Sequence, residues 1–196
     1  EILRCLVGSE MCIRDRYNGV GCFNDMDMLI VGMHGKGNVG LAGCSDVQYQ
    51  THYALWAFLG SPLMIGCDIR EMSDETRRIL MNDEMIRINQ DPLCRQPYKV
   101  KNHAWNDKVL IYVKALADGD LAIGMFNLSD EKSRAAMNLD EIGLPFSTGH
   151  TLELTEVWTC ENLCANNASL VTELEPFASK VYLSLIHISE PTRHLR

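Results

Sequence analysis

Residues 45–68 read SDVQYQTHYALWAFLGSPLMIGCD, a helix signature followed at once by a short apolar strand signature. Ser45 stands at an N-cap position, and Gln48 three residues on completes a capping box. In that box each side chain satisfies a backbone N–H that the first helical turn leaves unpaired. Val47, Thr51, Ala54, Leu55 and Phe58 recur at helical spacing and are expected to form the inward face. Gly60 and then Ser61-Pro62 stop the helix, because glycine accepts the left-handed turn past the last carbonyls and proline cannot continue it. Leu63-Met64-Ile65-Gly66-Cys67 is apolar throughout, as in a strand covered on both faces, and Asp68 follows directly. A helix feeding such a strand is the repeating unit of a parallel sheet.

The pattern extends both ways. Upstream, Asn24-Asp25 leads into the apolar run Asp27-Met28-Leu29-Ile30-Val31, and a glycine-rich loop spans Gly32 to Gly43. Downstream, Ser73 is placed to cap a second helix, with Asp74 and Glu75 favourably set against its dipole. Asn82 is placed to cap a continuation that ends before Asp91-Pro92. Two such units cannot close a barrel, so their strand edges need partners from elsewhere. A complete eight-fold barrel takes about 250 residues, more than the 196 of this chain.

From Tyr98 the pattern changes to short strands: Lys108–Ala115, Leu121–Asn127, Ala135–Asn138, Leu152–Val157, Leu170–Leu174 and Ser179–Leu183. Asp118-Gly119 marks a hairpin between the first two. No helical pattern intervenes, so an antiparallel β-sandwich is expected, with the boundary near Gln96-Pro97.

Composition narrows the function. With 18 Lys+Arg against 26 Asp+Glu the net charge is -8, which speaks against a nucleic-acid surface, since that needs clustered cations. Apolar residues at 46% and charged residues at 22% suit a packed domain and not a disordered chain. No apolar run approaches the ~18 residues of a membrane-spanning helix. Glu1–Arg16 and Ser184–Arg196 break the periodicity of their surroundings and resemble translated sequencing-adapter DNA, so both ends are expected to be non-native. The eight cysteines lack metal-site spacing: Cys160 and Cys164 have no second close pair and no histidine pair to complete a tetrahedral set. They read as structural thiols, with one or two disulfides as the alternative. Asn167-Ala168-Ser169 fits a glycosylation acceptor that would matter only in a secreted protein, and the compartment stays open between cytoplasmic and secreted.

The densest polar cluster is Asn24-Asp25-Met26-Asp27. On an extended chain Asp25 and Asp27 point the same way, about 6.6 Å apart at a rise of ~3.3 Å per residue. That separation would suit the ~5–5.5 Å carboxyl pair of a retaining glycosidase. Alternatively Asp25 braces the turn and only Asp27 faces a ligand. Asp68, at the end of its strand, is either a barrel active-site residue or a loop carboxylate paired with Arg70. His34 and His52 lack metal-like spacing, and His52 reads as a packing or solvent-facing residue of its helix. Trp56 and Phe58 suit a buried helix better than a sugar platform. Gly35, Gly37 and Gly40 do not make a phosphate loop, and Cys22 has no evident histidine partner for thiol chemistry.

Phe23-Asn24-Asp25-Met26-Asp27-Met28-Leu29 resembles the Trp-Asn-Asp-Pro-Asp-Met-Leu segment of glycoside hydrolase family 27, the α-galactosidase/melibiase group. The similarity continues through residues 52–57 and 61–70, and includes Ile88-Asn89-Gln90-Asp91-Pro92-Leu93. In the later strands it is carried by Phe126-Asn127-Leu128-Ser129-Asp130 and Glu156-Val157-Trp158-Thr159. The resemblance implies an α/β plus all-β chain: the C-terminal portion of a (β/α)8 TIM barrel over residues 17–96, then a β-sandwich over 97–183. It implies retaining hydrolysis of terminal α-galactosyl residues on galactoside oligosaccharides, without a cofactor, a metal, a nucleic acid or a membrane. The family's nucleophile and acid/base belong to strands that precede Tyr17, so no catalytic residue is expected in this chain. By the same resemblance Asp27 and Met28 line the sugar pocket, and Asp25 supports it. Phe23 in place of Trp and Met26 in place of Pro depart from the family's pattern. α-N-Acetylgalactosaminidase and β-L-arabinopyranosidase activity remain open within the family, and a non-catalytic carbohydrate-binding or assembly module is the reading outside it.

Overall fold

The computed structural model describes residues 18–36, 43–143, 152–165 and 168–185. The two expected non-native ends, residues 1–16 and most of 184–196, fall outside these, as do Asn167 and the middle of the glycine-rich loop.

Helix α1 (Asp46–Phe58) begins as the capping box dictates, with Gln48 N–H on the Ser45 hydroxyl and Ser45 N–H on the Gln48 side chain. Its buried surface is much wider than a single stripe: Tyr49 and every residue from Thr51 to Phe58 are buried, while Val47, expected on the inward face, is exposed. A helix walled on nearly all sides has no need of amphipathic spacing. Helices α2 (Asp74–Leu80) and α3 (Asp83–Asn89) start at Ser73 and Asn82, whose side chains accept the N–H groups of Thr76 and Met85.

The two expected apolar strands meet only as an isolated parallel bridge between Leu29 and Ile65. Leu29 N–H donates to the Met64 carbonyl at 2.8 Å, and Gly66 N–H to the Leu29 carbonyl at 3.1 Å. A Cβ at Gly66 would lie 2.6 Å from that carbonyl oxygen, so the crossing requires glycine. Met64 and Ile65, with Ile69 just beyond, are exposed here, an apolar surface beside a bridge that meets no further strand among the described residues.

The remainder is antiparallel. Strands β1 (Tyr98–Val100), β2 (Val109–Ala115), β3 (Leu121–Asn127), β5 (Leu152–Glu156), β6 (Asn162–Ala165) and β8 (Ser179–Leu185) form one sheet in the order β1-β2-β3-β8-β5-β6. Strands β4 (Ser133–Asn138) and β7 (Ser169–Leu174) pair as a second sheet. Strand β8 runs past the expected end at Leu183, and Ser184 is fully buried, accepting the Leu121 N–H on its hydroxyl at 2.9 Å.

The centre of the six-stranded sheet is covered on both faces. Val109, Ile111, Val113, Ile123 and Met125 face the β4–β7 sheet, whereas Leu110, Tyr112, Ala122 and Phe126 join the core built on α1. That double burial explains why β2 and β3 read as continuous apolar runs. Phe58 of α1 meets Phe126 edge-on, ring centroids 5.6 Å apart. Gly124 makes this approach possible, since a Cβ there would lie 2.6 Å from the Phe126 ring and 2.9 Å from that of Phe58. Gly124→Ala is therefore expected to cost about 1–3 kcal/mol by overpacking, read as a lower urea midpoint; an unchanged midpoint would show that the two rings move aside freely.

Polar ties cross the same junction. Lys114 is buried, and its ammonium donates to the Ile88 carbonyl near the end of α3 at 2.7 Å; burial pushes its pKa down to about 8. Arg87 of α3 holds Asp118 and Asp120 of the β2–β3 hairpin, and Thr51 of α1 donates to the Phe177 carbonyl at 2.7 Å.

Candidate functional site

Segment 24–30 carries the candidate residues, and nearly all of its backbone N–H groups are fixed. Asn24 N–H donates to the Asn18 side-chain oxygen and Met26 N–H to the Ser61 hydroxyl at 2.9 Å. Asp27 N–H donates to the Asp25 carboxylate at 2.9 Å, so Asp25 braces the turn. Asp27 is left-handed, φ = 74°, a conformation that costs a non-glycine residue about 1–2 kcal/mol. Its surroundings impose it: the buried Trp56 indole donates to the Asp27 carbonyl at 2.9 Å, and Met28 N–H donates to one Asp27 carboxylate oxygen at 2.7 Å.

The outcome is one exposed carboxylate on a rigid support. Asp27 is exposed, its second carboxylate oxygen has no hydrogen bond among the described residues, and the neighbouring Met28 side chain is 46% exposed. The left-handed residue removes the extended geometry on which the spacing of Asp25 and Asp27 was reckoned. Asp68 does not join them. It caps the short 3₁₀ turn Ile69–Glu71 and holds Arg70 through two side-chain hydrogen bonds of 3.0 and 2.7 Å, which keep its carboxyl below the usual range.

Residues with no role assigned from sequence supply the support. Asn89 donates to the Ser61 carbonyl at 2.8 Å, so the residue that holds Met26 is itself held by the end of α3. Asp91 is buried and accepts Ala117 N–H at 2.8 Å and Leu93 N–H at 3.0 Å, tying that end to the β2–β3 hairpin. Together these bonds run from the sandwich to segment 24–28. A cavity of about 360 Å³ beside the segment is lined by Phe23, Ser61, Pro62, Asn89, Asp91 and Cys94, among others.

His52 is buried at 7% exposure and stacks on Trp56 with ring centroids 3.8 Å apart. Its Nε2 accepts Ile30 N–H at 3.3 Å, which requires the neutral ring, and burial pushes its pKa down to about 4. His52 is thus a packing residue and joins α1 to the chain just beyond the candidate site. The Trp56 ring, packed in the core, presents its N–H to the site backbone and offers no sugar platform.

The sequence profile described as "Alpha galactosidase A" matches residues 9–91, and that of the "Alpha galactosidase C-terminal beta sandwich domain" matches residues 106–184. The chain is 30% identical over 167 residues to an α-galactosidase of Cyamopsis tetragonoloba, covering 85% of this chain and 38% of that protein. It is 41% identical over 118 residues to α-galactosidase A of Cellvibrio japonicus, covering 59% of this chain and 26% of that one. A Bacteroides fragilis structure of a proposed α-galactosidase/melibiase superposes with a TM-score of 0.79 at 32% identity, over 94% of this chain and 38% of its own. The fold is shared at 22% identity with a Geobacillus stearothermophilus β-L-arabinopyranosidase, TM-score 0.79, over 97% and 43% of the two chains. This chain thus spans well under half the length of each of these relatives. It belongs to glycoside hydrolase family 27, the α-galactosidase/melibiase family, and carries the end of that family's barrel together with its β-sandwich domain.

Proposed function

We propose that the whole protein hydrolyses terminal α-D-galactosyl residues of galactoside oligosaccharides by double displacement, and that this chain supplies part of the sugar pocket. The observation that carries the reading is Asp27: an exposed carboxylate held in a strained, left-handed position by Trp56 and Asp25. Strain of this kind persists only where the surroundings impose it and concentrates at functional sites. A carboxylate with a free oxygen accepts hydrogen bonds from sugar hydroxyls, and charged acceptors make the stronger ones. Met28 offers an apolar edge to the C–H face of the ring. Asp25 acts through Asp27 by fixing its backbone. In keeping with the family resemblance, the displacement itself is assigned to carboxylates of the whole protein other than Asp25 and Asp27.

The test compares the 196-residue chain with the whole protein on aryl α-galactoside, aryl α-N-acetylgalactosaminide and aryl β-L-arabinopyranoside. The expected result is no turnover by the chain and preferred release of galactose by the whole protein. Turnover by the chain that vanishes in Asp27→Ala would instead make Asp25 and Asp27 a local catalytic pair. Preference for either other glycoside would reassign the substrate.

A further inference from the structure

A second pocket, of about 330 Å³, opens on the sandwich and shares no residue with segment 24–28. Its walls come from the turn after β5, from β6, β7 and β8, and from Gln50 on α1. Two of its lining side chains carry buried polar atoms with no hydrogen-bond partner among the described residues: the Trp158 indole nitrogen and the Ser179 hydroxyl. Ser179 is 5% exposed. Such groups are rare in native structures, and an unpaired one costs about 1–3 kcal/mol, so they call for a partner.

The lining specifies the partner's chemistry. Asn162 accepts from Thr155 and Gln50 accepts from Arg78, each through its side-chain oxygen, so both amide nitrogens are left to donate. Lys180 spends one N–H on Thr172 and has two more. The donors thus face a ligand rich in oxygen. An anion is disfavoured, because the carboxylates of Glu156 and Glu161 in the same wall offset Lys180 and the nearby Arg78 and leave no net positive charge. Glu156 is consumed by Trp158, Thr159 and Val181, whereas Glu161 is exposed and able to accept. Donors, one available carboxylate and an indole wall under the Arg78 guanidinium, 5.7 Å from its centroid, suit a neutral polyhydroxylated ring. The volume lies at the small end of ligand sites, which run from about 300 to 1,000 Å³.

We propose that this pocket is a second sugar-binding site, taking one neutral hexopyranose unit, distinct from the Asp27 segment. The ligand hydroxyls pair with Gln50, Asn162 and Lys180 and donate to Glu161, while Trp158 and Ser179 form the wall behind them.

Binding is read without turnover, so the result is independent of the proposed hydrolase activity. The chain is titrated with D-galactose, D-glucose and D-mannose up to about 50 mM, some fifty-fold above a Kd of about 1 mM, with tryptophan emission recorded in a Trp105→Phe background and the Trp158 contribution taken as the difference from a Trp158→Phe control that retains Trp56. A saturable change is expected with at least one hexose. It should weaken about tenfold in Asn162→Ala and in Glu161→Ala, both exposed positions that leave the thermal midpoint unchanged, and persist in Asp27→Ala. A trisaccharide ending in the same unit separates a free sugar from the end of a chain: binding of either supports the site. No saturable change with any hexose, preference for the anionic galacturonate, or loss of binding only in Asp27→Ala would overturn it.

Discussion

In the whole protein, Asp27→Ala is expected to lower kcat/KM on an aryl α-galactoside by about 10²-fold or more. Hydrogen bonds to a charged group contribute about 1.5–3 kcal/mol each, and an open carboxylate can hold two sugar hydroxyls, so the loss reaches about 3–6 kcal/mol. Asp27→Asn keeps the acceptor that Met28 N–H uses and should lose less. The discriminating control is Trp56→Phe, which keeps an aromatic ring in the core and removes the indole donor to the Asp27 carbonyl. If Asp27 acts from its fixed backbone position, Trp56→Phe raises KM while the thermal midpoint changes little. Unchanged kinetics in Asp27→Ala would remove this residue from the sugar pocket.

The second large effect is a pH dependence centred on His52. Its pKa is about 4 in the folded chain against 6.5 for the free side chain. Between those values the unfolded chain binds more protons than the folded one, so stability rises with pH across the window and is lost as pH falls through it. At 1.36 kcal/mol per unit, the loss attributable to His52 reaches about 3 kcal/mol by pH 4. The physical event is loss of the Ile30 N–H acceptor together with burial of a charge against Trp56. Urea midpoints at pH 7 and pH 4, compared between the parent and His52→Gln, isolate the contribution: the variant should be less stable at pH 7 and fall less steeply. Parallel curves would mean that His52 titrates with the same pKa in the folded and the unfolded chain.

Much of the fold was legible because its signals are local. Ser45 and Gln48 announce the start of α1, Ser73 and Asn82 those of α2 and α3, and Asp118-Gly119 the β2–β3 hairpin. Strands β1 and β6 were missed for a physical reason. Tyr98–Val100 is only three residues long, and Asn162–Ala165 is exposed along most of its length, so neither carries a hydrophobic signature. The face of α1 was misjudged because periodicity assumes that one side meets water, whereas Tyr49, His52, Tyr53 and Trp56 are buried too.

The site was legible as a segment and not as a geometry. Little in Asn24-Asp25-Met26-Asp27 marks residue 27 as left-handed, since aspartate visits that region only occasionally and glycine would be the usual cue. The turn becomes clear only when the Trp56 indole and the Ser61 hydroxyl are seen to converge on it, with the Asn89 amide holding Ser61 from the end of α3. Asn89 and Asp91 stood out as a motif, but their work is wiring: they carry the position of the sandwich to the support of Asp27.

The central claim is that Asp27 belongs to the pocket of a retaining α-galactosidase. The most direct measurement follows the anomeric protons by NMR as the whole protein and its Asp27→Ala variant cleave an aryl α-galactoside. α-Galactose is expected to appear first and then to mutarotate, because two displacements restore the starting configuration, with release slowed in the variant. First appearance of β-galactose, or no release of galactose at all, would contradict it.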